Sequence, residues 1–75
     1  MEIILTDHTK LRMVQRVITL AMVMECVQLP EYVYPQRNGT TLLRKRIKGI
    51  PGADFIVVIS KKEGNKITVI TSYIT

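Results

Sequence analysis

The chain is expected to fold as one α+β domain, residues 1–75, with two N-terminal helices packed on a three- to four-stranded antiparallel sheet. Three observations predict this. Up to Pro30 the apolar residues recur at helical spacing, and after it the segments are rich in β-branched and aromatic residues. Hairpin signals stand at Asn38-Gly39 and Gly64-Asn65. At 75 residues there is room for one domain only, hiding about 60% of the surface its unfolded form exposes.

"EIIL" at residues 2–5 reads as a first strand or an extended lead-in. Thr6 and Asp7 are both good N-caps, because their oxygens accept from free N–H groups of a first helical turn. A first helix is expected from Asp7 to Arg16. Thr19 then caps a second helix, in which Leu20, Val23, Met24 and Val27 form an apolar stripe. Pro30 cannot continue that helix, so it stops near Leu29. "EYVYP" is the next strand, turned at Asn38-Gly39 into "TTLLRKRIK". "GIPG" punctuates. "DFIVVIS" is continuous and apolar, as in a central strand, and "ITVITSYIT" closes the sheet. Helices on one side leave the other sheet face open as a binding surface.

Composition bounds the chemistry. The chain is 47% hydrophobic and 23% charged, too apolar for disorder. One cysteine excludes an internal disulfide, and one cysteine with one histidine excludes a Cys/His zinc site within a chain. Cys26 sits in "LAMVMECVQL" and is expected as a buried, inert small hydrophobe. Asp7, Glu25, Glu31, Asp54 and Glu63 are scattered, and no Gly-rich phosphate loop occurs, so neither metal nor cofactor is expected. Glu2 stands where a signal peptide would be basic, and no run approaches a membrane span, so a soluble cytoplasmic protein is expected. Charge is uneven: residues 1–34 carry a net −1 and residues 35–75 a net +6. A basic half suits a polyanion, nucleic acid first.

Three constellations could carry chemistry. His8, Arg12 and Arg16 recur at i, i+4 and i+8, a ridge along one helix edge with Leu11 and Val14 on one flank and Met13 on the other. It suits a phosphate, or else its arginines lock helix to sheet. In "LLRKRIK", strand alternation puts Leu42, Arg44, Arg46 and Lys48 on one face and Leu43, Lys45 and Ile47 on the other. Arg44, Lys45, Arg46 and Lys48, extended by Arg37 in the preceding turn, form a candidate nucleic-acid patch, or a strand charged against edge-to-edge aggregation. Tyr73, sharing a face with Ile67, Val69 and Thr71, is either an apolar plate with a wet hydroxyl or a group that stacks a base.

"DHTKLRMVQRVIT" resembles the opening H-A-x-x-R-M-x-x-R-G-I-S of a family of small domains of unknown function related to RelE/ParE- and BrnT-like toxins. His8, Arg12, Met13, Arg16 and Ile18 fall on the motif, and Thr19 takes the place of its serine. Thr9 stands for the alanine and Val17 for the glycine at which the helices break. Ile70, Thr71 and Tyr73 are similar to the family's closing V-I-T-V-Y, and "LRKRIKG" and "FIVVI" to its middle strands. The resemblance implies a RelE/ParE toxin-like fold, RNA as target and an antitoxin protein as partner, although ParE-type relatives act by binding rather than by RNase chemistry.

The leading expectation is therefore a small basic toxin-like protein that binds RNA and is a candidate to cleave it without metal. His8 would be general acid or base, since histidine is the side chain that exchanges protons near neutral pH. Arg12, Arg16 and Arg44 or Arg46 would hold phosphate, and Tyr73 would stack a base or donate a proton. The alternative is a non-catalytic module docking on nucleic acid or protein through the basic sheet face. A third reading is a homodimer paired through a sheet edge.

Overall fold

The computed structural model describes residues 2–75. Its elements run β1 (Glu2–Leu5), α1 (Asp7–Gln15), α2 (Leu20–Gln28), β2 (Tyr32–Pro35), β3 (Thr41–Arg46), β4 (Phe55–Glu63) and β5 (Lys66–Ile74). The sheet has five strands in the order β1-β5-β4-β3-β2. It is mixed, not antiparallel throughout: β1 runs parallel to β5, with Ile3 opposite Ile67 and Leu5 opposite Val69. The expectation of three or four antiparallel strands is corrected there. "EIIL" is a strand, and its partner lies more than sixty residues downstream.

Local chemistry explains the helices. Thr6 caps α1, its hydroxyl accepting from the Thr9 amide at 3.1 Å, with Asp7 in the first turn favouring the positive end of the helix dipole. The helix ends in a six-to-one bond from the Ile18 amide to the Met13 carbonyl, 3.0 Å. Val17 sits at the reversal with φ +57°, and Ile18 and Met13 are both buried behind it. That arrangement is a Schellman ending, which normally uses glycine at the reversal. The helices therefore break sharply with a β-branched residue in the left-handed region, at a cost of about 1–2 kcal/mol. Thr19 caps α2, bonding the Met22 amide at 3.2 Å, and the Met22 sulfur accepts from the Thr19 amide in return.

The turns divide by type. Gly64-Asn65 is a two-residue hairpin, with Gly64 at φ +59° and Glu63 paired to Lys66. The β2–β3 connection is longer, since Pro35 pairs with Thr41. There Gly39 alone takes positive φ, and the Asn38 side chain accepts from the Thr40 amide at 3.2 Å.

The helices cover one sheet face, α1 over β5 and α2 over β4 and β3. Between them lies a core of Val23, Cys26, Ile56, Val58 and Val69, joined by Met13, Ile18, Val27 and Leu43. Leu11, Val14 and Leu20 stay exposed, so α1 buries only the Met13 side of the ridge, and the α2 stripe shifts from Leu20 to Cys26. A register shift between Ile59 and Ser60 leaves Ile70 unpaired on β5. This bulge turns Thr71 and Tyr73 onto the face opposite Ile67 and Val69, correcting the shared face expected from simple alternation. Its carbonyls are taken from above: the Thr9 hydroxyl donates to the Val69 oxygen at 2.9 Å, and the Thr6 hydroxyl to that of Ile70 at 3.4 Å. Among the described residues no helix is long and apolar enough to cross a membrane.

Candidate nucleic-acid interface

The face of the sheet that carries no helix is organised in transverse rows. Register places Tyr32 beside Arg44, Arg44 beside Val57, and Val57 beside Tyr73. Below that row Arg46 pairs with Phe55. Above it lie Tyr34, Leu42, Ile59 and Thr71. At about 4.8 Å between strands, Tyr32 and Tyr73 stand roughly 14 Å apart.

Arg44 is the centre of this face. Its guanidinium carbon lies 4.4 Å from the Tyr32 ring centroid and 4.5 Å from that of Phe55, with Tyr34 at 5.9 Å. The two tyrosines stack at 6.2 Å, and Phe55 meets Tyr32 edge-on. Contact with rings holds the guanidinium in place without using its donors in hydrogen bonds. Among the described residues no carboxylate approaches it, and its Nε is buried without a hydrogen-bond partner. Glu31 does not neutralise the pair of arginines: its Oε1 accepts from the Arg46 backbone amide at 2.7 Å. The Arg46 guanidinium is 5.9 Å from Phe55. Arg44 covers Tyr32 and Phe55, and Tyr34 and Tyr73 stay exposed on the same face, beside arginines that have no salt bridge among the described residues.

Lys45 is placed elsewhere. It points to the helix side, as alternation predicts, where its Nζ donates to the Leu29 carbonyl at 2.9 Å and lies 3.7 Å from a Glu25 oxygen. A cation at the C-terminal end of α2 satisfies carbonyls and complements the dipole, so Lys45 ties β3 to α2 on the face away from Arg44 and Arg46. Lys48 leaves the strand face that alternation assigns it: β3 ends at Arg46, and Lys48 lies in the following loop, exposed. Arg37 is exposed in the β2–β3 loop.

The ridge does not assemble into one site. Arg16 reaches past the end of β1 to donate to the Ser72 carbonyl at 3.1 Å, holding α1 to the uncovered stretch of β5. Arg12 is half-buried, and its contact is Gln15 of its own helix, at 3.5 Å. His8 is exposed and has no hydrogen-bond or ionic partner among the described residues. Tyr73 lies on the sheet face away from α1. Among the described residues no three His, Cys, Asp or Glu side chains cluster.

Cys26, on the inner side of α2, is fully buried, its thiol donating to the Ile56 carbonyl of β4 at 3.9 Å. Burial pushes its thiol from the ordinary 9.0 up to about 11, with nearby Lys45 pulling the other way. A cavity of about 690 Å³, open to solvent, lies between the start of α2 and the end of β3.

Tyr32, Tyr34 and Phe55 carry the platform, and sequence reasoning did not single them out. The period-two spacing of Tyr32 and Tyr34 in "EYVYP" was the available signal. What places them against Arg44 is the length of the β2–β3 loop and the β3–β4 register, which composition does not encode. The chain matches no family model, no curated protein and no solved structure.

Proposed function

We propose that this protein binds single-stranded RNA on the open face of its sheet, as a non-catalytic module. One observation carries the reading: the Arg44 guanidinium carbon lies 4.4 Å from the Tyr32 ring centroid and 4.5 Å from that of Phe55, with no carboxylate paired to it among the described residues. Single strands are held by aromatic faces that stack bases and by cations that track phosphates, and the row from Tyr32 through Arg44 to Tyr73 supplies both. Arg46 extends the cationic side. The net charge of +5 favours encounter with any polyanion.

RNA is favoured over DNA by the resemblance of residues 8–19 to the opening of the toxin-related family, and a RelE/ParE-like relation of the fold belongs to the same proposal. Binding is favoured over cleavage because His8 and Arg12 are on α1 and Arg16 caps its end, while Tyr73 is on the other side of the sheet, so acid, base and phosphate holders do not share a concavity.

Anisotropy titration of a fluorescent octauridylate at several salt concentrations tests this. Affinity falls linearly on a log–log plot, and a blunt duplex of equal length binds more weakly. Arg44→Gln with Arg46→Gln makes the salt slope shallower by about 1.4, or about 0.7 for each phosphate no longer neutralised. RNA stays intact with or without EDTA. Binding that survives both high salt and the double substitution overturns the reading, and defined metal-independent cleavage overturns its non-catalytic part.

A further inference from the structure

The cavity of about 690 Å³ adjoins the open face, because Arg46 belongs to both. Its volume is in the range of pockets that hold small ligands. Val17, Met22, Ile47 and Ile50 supply apolar wall, while Glu25, Glu31 and Lys48 bring charge to its lining. Glu31 uses one carboxylate oxygen on the Arg46 amide, and its other oxygen has no partner among the described residues. Lys45 stands 3.7 Å from one Glu25 oxygen.

Ionised carboxylates only accept hydrogen bonds. Among the four bases, guanine alone presents two adjacent N–H donors on its pairing edge. Adenine and cytosine set a ring acceptor beside their amino group, and uracil flanks its one N–H with two carbonyls. A carboxylate in the lining of such a pocket can therefore accept two bonds from guanine, but only one from each of the other bases, whose neighbouring acceptor it repels. Sites that read a donor by a placed acceptor discriminate far better than apolar slots do.

We propose that this cavity takes a guanine base at one end of the strand bound on the open face. Glu31 accepts from the base edge, the apolar wall covers the ring, and Arg46 and Lys48 hold the adjoining phosphate. This specificity rests on the single-strand reading above.

Anisotropy titrations of octauridylate carrying one added G, A or C at either end test it, in the wild type and in Glu31→Gln. Glutamine keeps an oxygen for the Arg46 amide, and an unchanged melting temperature verifies the fold. The added G is expected to raise affinity about tenfold over A or C, at one end only, as a good paired contact to a base edge does. In Glu31→Gln that preference falls below about twofold, while octauridylate itself binds as before. Equal affinity for G, A and C with octauridylate still bound overturns the guanine site and leaves the open-face reading standing. A preference that persists in Glu31→Gln overturns the role given to that carboxylate. Failure to bind octauridylate at all overturns the open-face reading, and the guanine site with it.

Discussion

The stretch of β4 from Ile56 to Val58 is closed off from water on both faces, by different means. Ile56 and Val58 point up into the core, where Val23 and Cys26 of α2 cover them. Val57 points the other way and is still only 3% exposed, lying in register between Arg44 and Tyr73. The cations follow the same division. On the helix side Lys45 is held by the Leu29 carbonyl and Glu25, and Arg16 by the Ser72 carbonyl. On the open side Arg44 rests on rings, with no carboxylate paired to it among the described residues. Identical residue types therefore do different work according to which face the strand period gives them. A covered face must satisfy its charges internally, because burying them unpaired is costly. An open face can leave them for a ligand.

The largest expected effect attacks the covered side. Ile56→Ala should lower unfolding free energy by about 2–5 kcal/mol, whereas Arg44→Gln, losing only ring stacking, should cost about 1 kcal/mol. Urea melts of the two variants check this. Comparable losses would break the distinction between a face built for stability and a face built for binding.

Cys26 sharpens the same division through pH. Below pH 9 the thiol is protonated in folded and unfolded chains alike, and pH has no leverage through it. Above its ordinary value of 9.0 the unfolded chain releases the proton while the folded thiol keeps it up to about 11. Ionisation then favours the unfolded chain, so stability declines from pH 9 to about 11, by up to about 2–3 kcal/mol. Cys26→Ser is the comparison: its stability curve should lack that component. Parallel alkaline curves for the two proteins would show that the thiol is not closed off as the core geometry requires.

The smallest effect comes from a residue on neither face. Val17 is 76% exposed at φ +57°, so removing its side chain sacrifices little burial. Val17→Gly relieves the left-handed strain and adds freedom to the unfolded chain, for a net gain of about 0.5–1 kcal/mol. The melting temperature should rise by a few degrees, and a fall would mean that Val17 contributes packing at the corner.

Much of this architecture is written locally. Thr6, Thr19, Pro30 and Gly64-Asn65 act through their own neighbours' backbone groups, so caps, helix ends and the last hairpin are readable one segment at a time. The alternation of Leu42, Arg44 and Arg46 against Leu43 and Lys45 is equally local and stands in the structure. Three features are not local. The pairing of β1 with β5 joins segments from opposite ends of the chain and has no signature in either. The bulge at Ile70 reverses the face of Thr71 and Tyr73, and is held by Thr6 and Thr9 from another element. The meeting of Tyr32, Arg44 and Phe55 needs two strand registers at once. Sequence alone determines what short-range hydrogen bonding and apolar period impose. Which rings lie under which cation is decided only when distant strands align, because register depends on loop length and on the packing of the whole sheet.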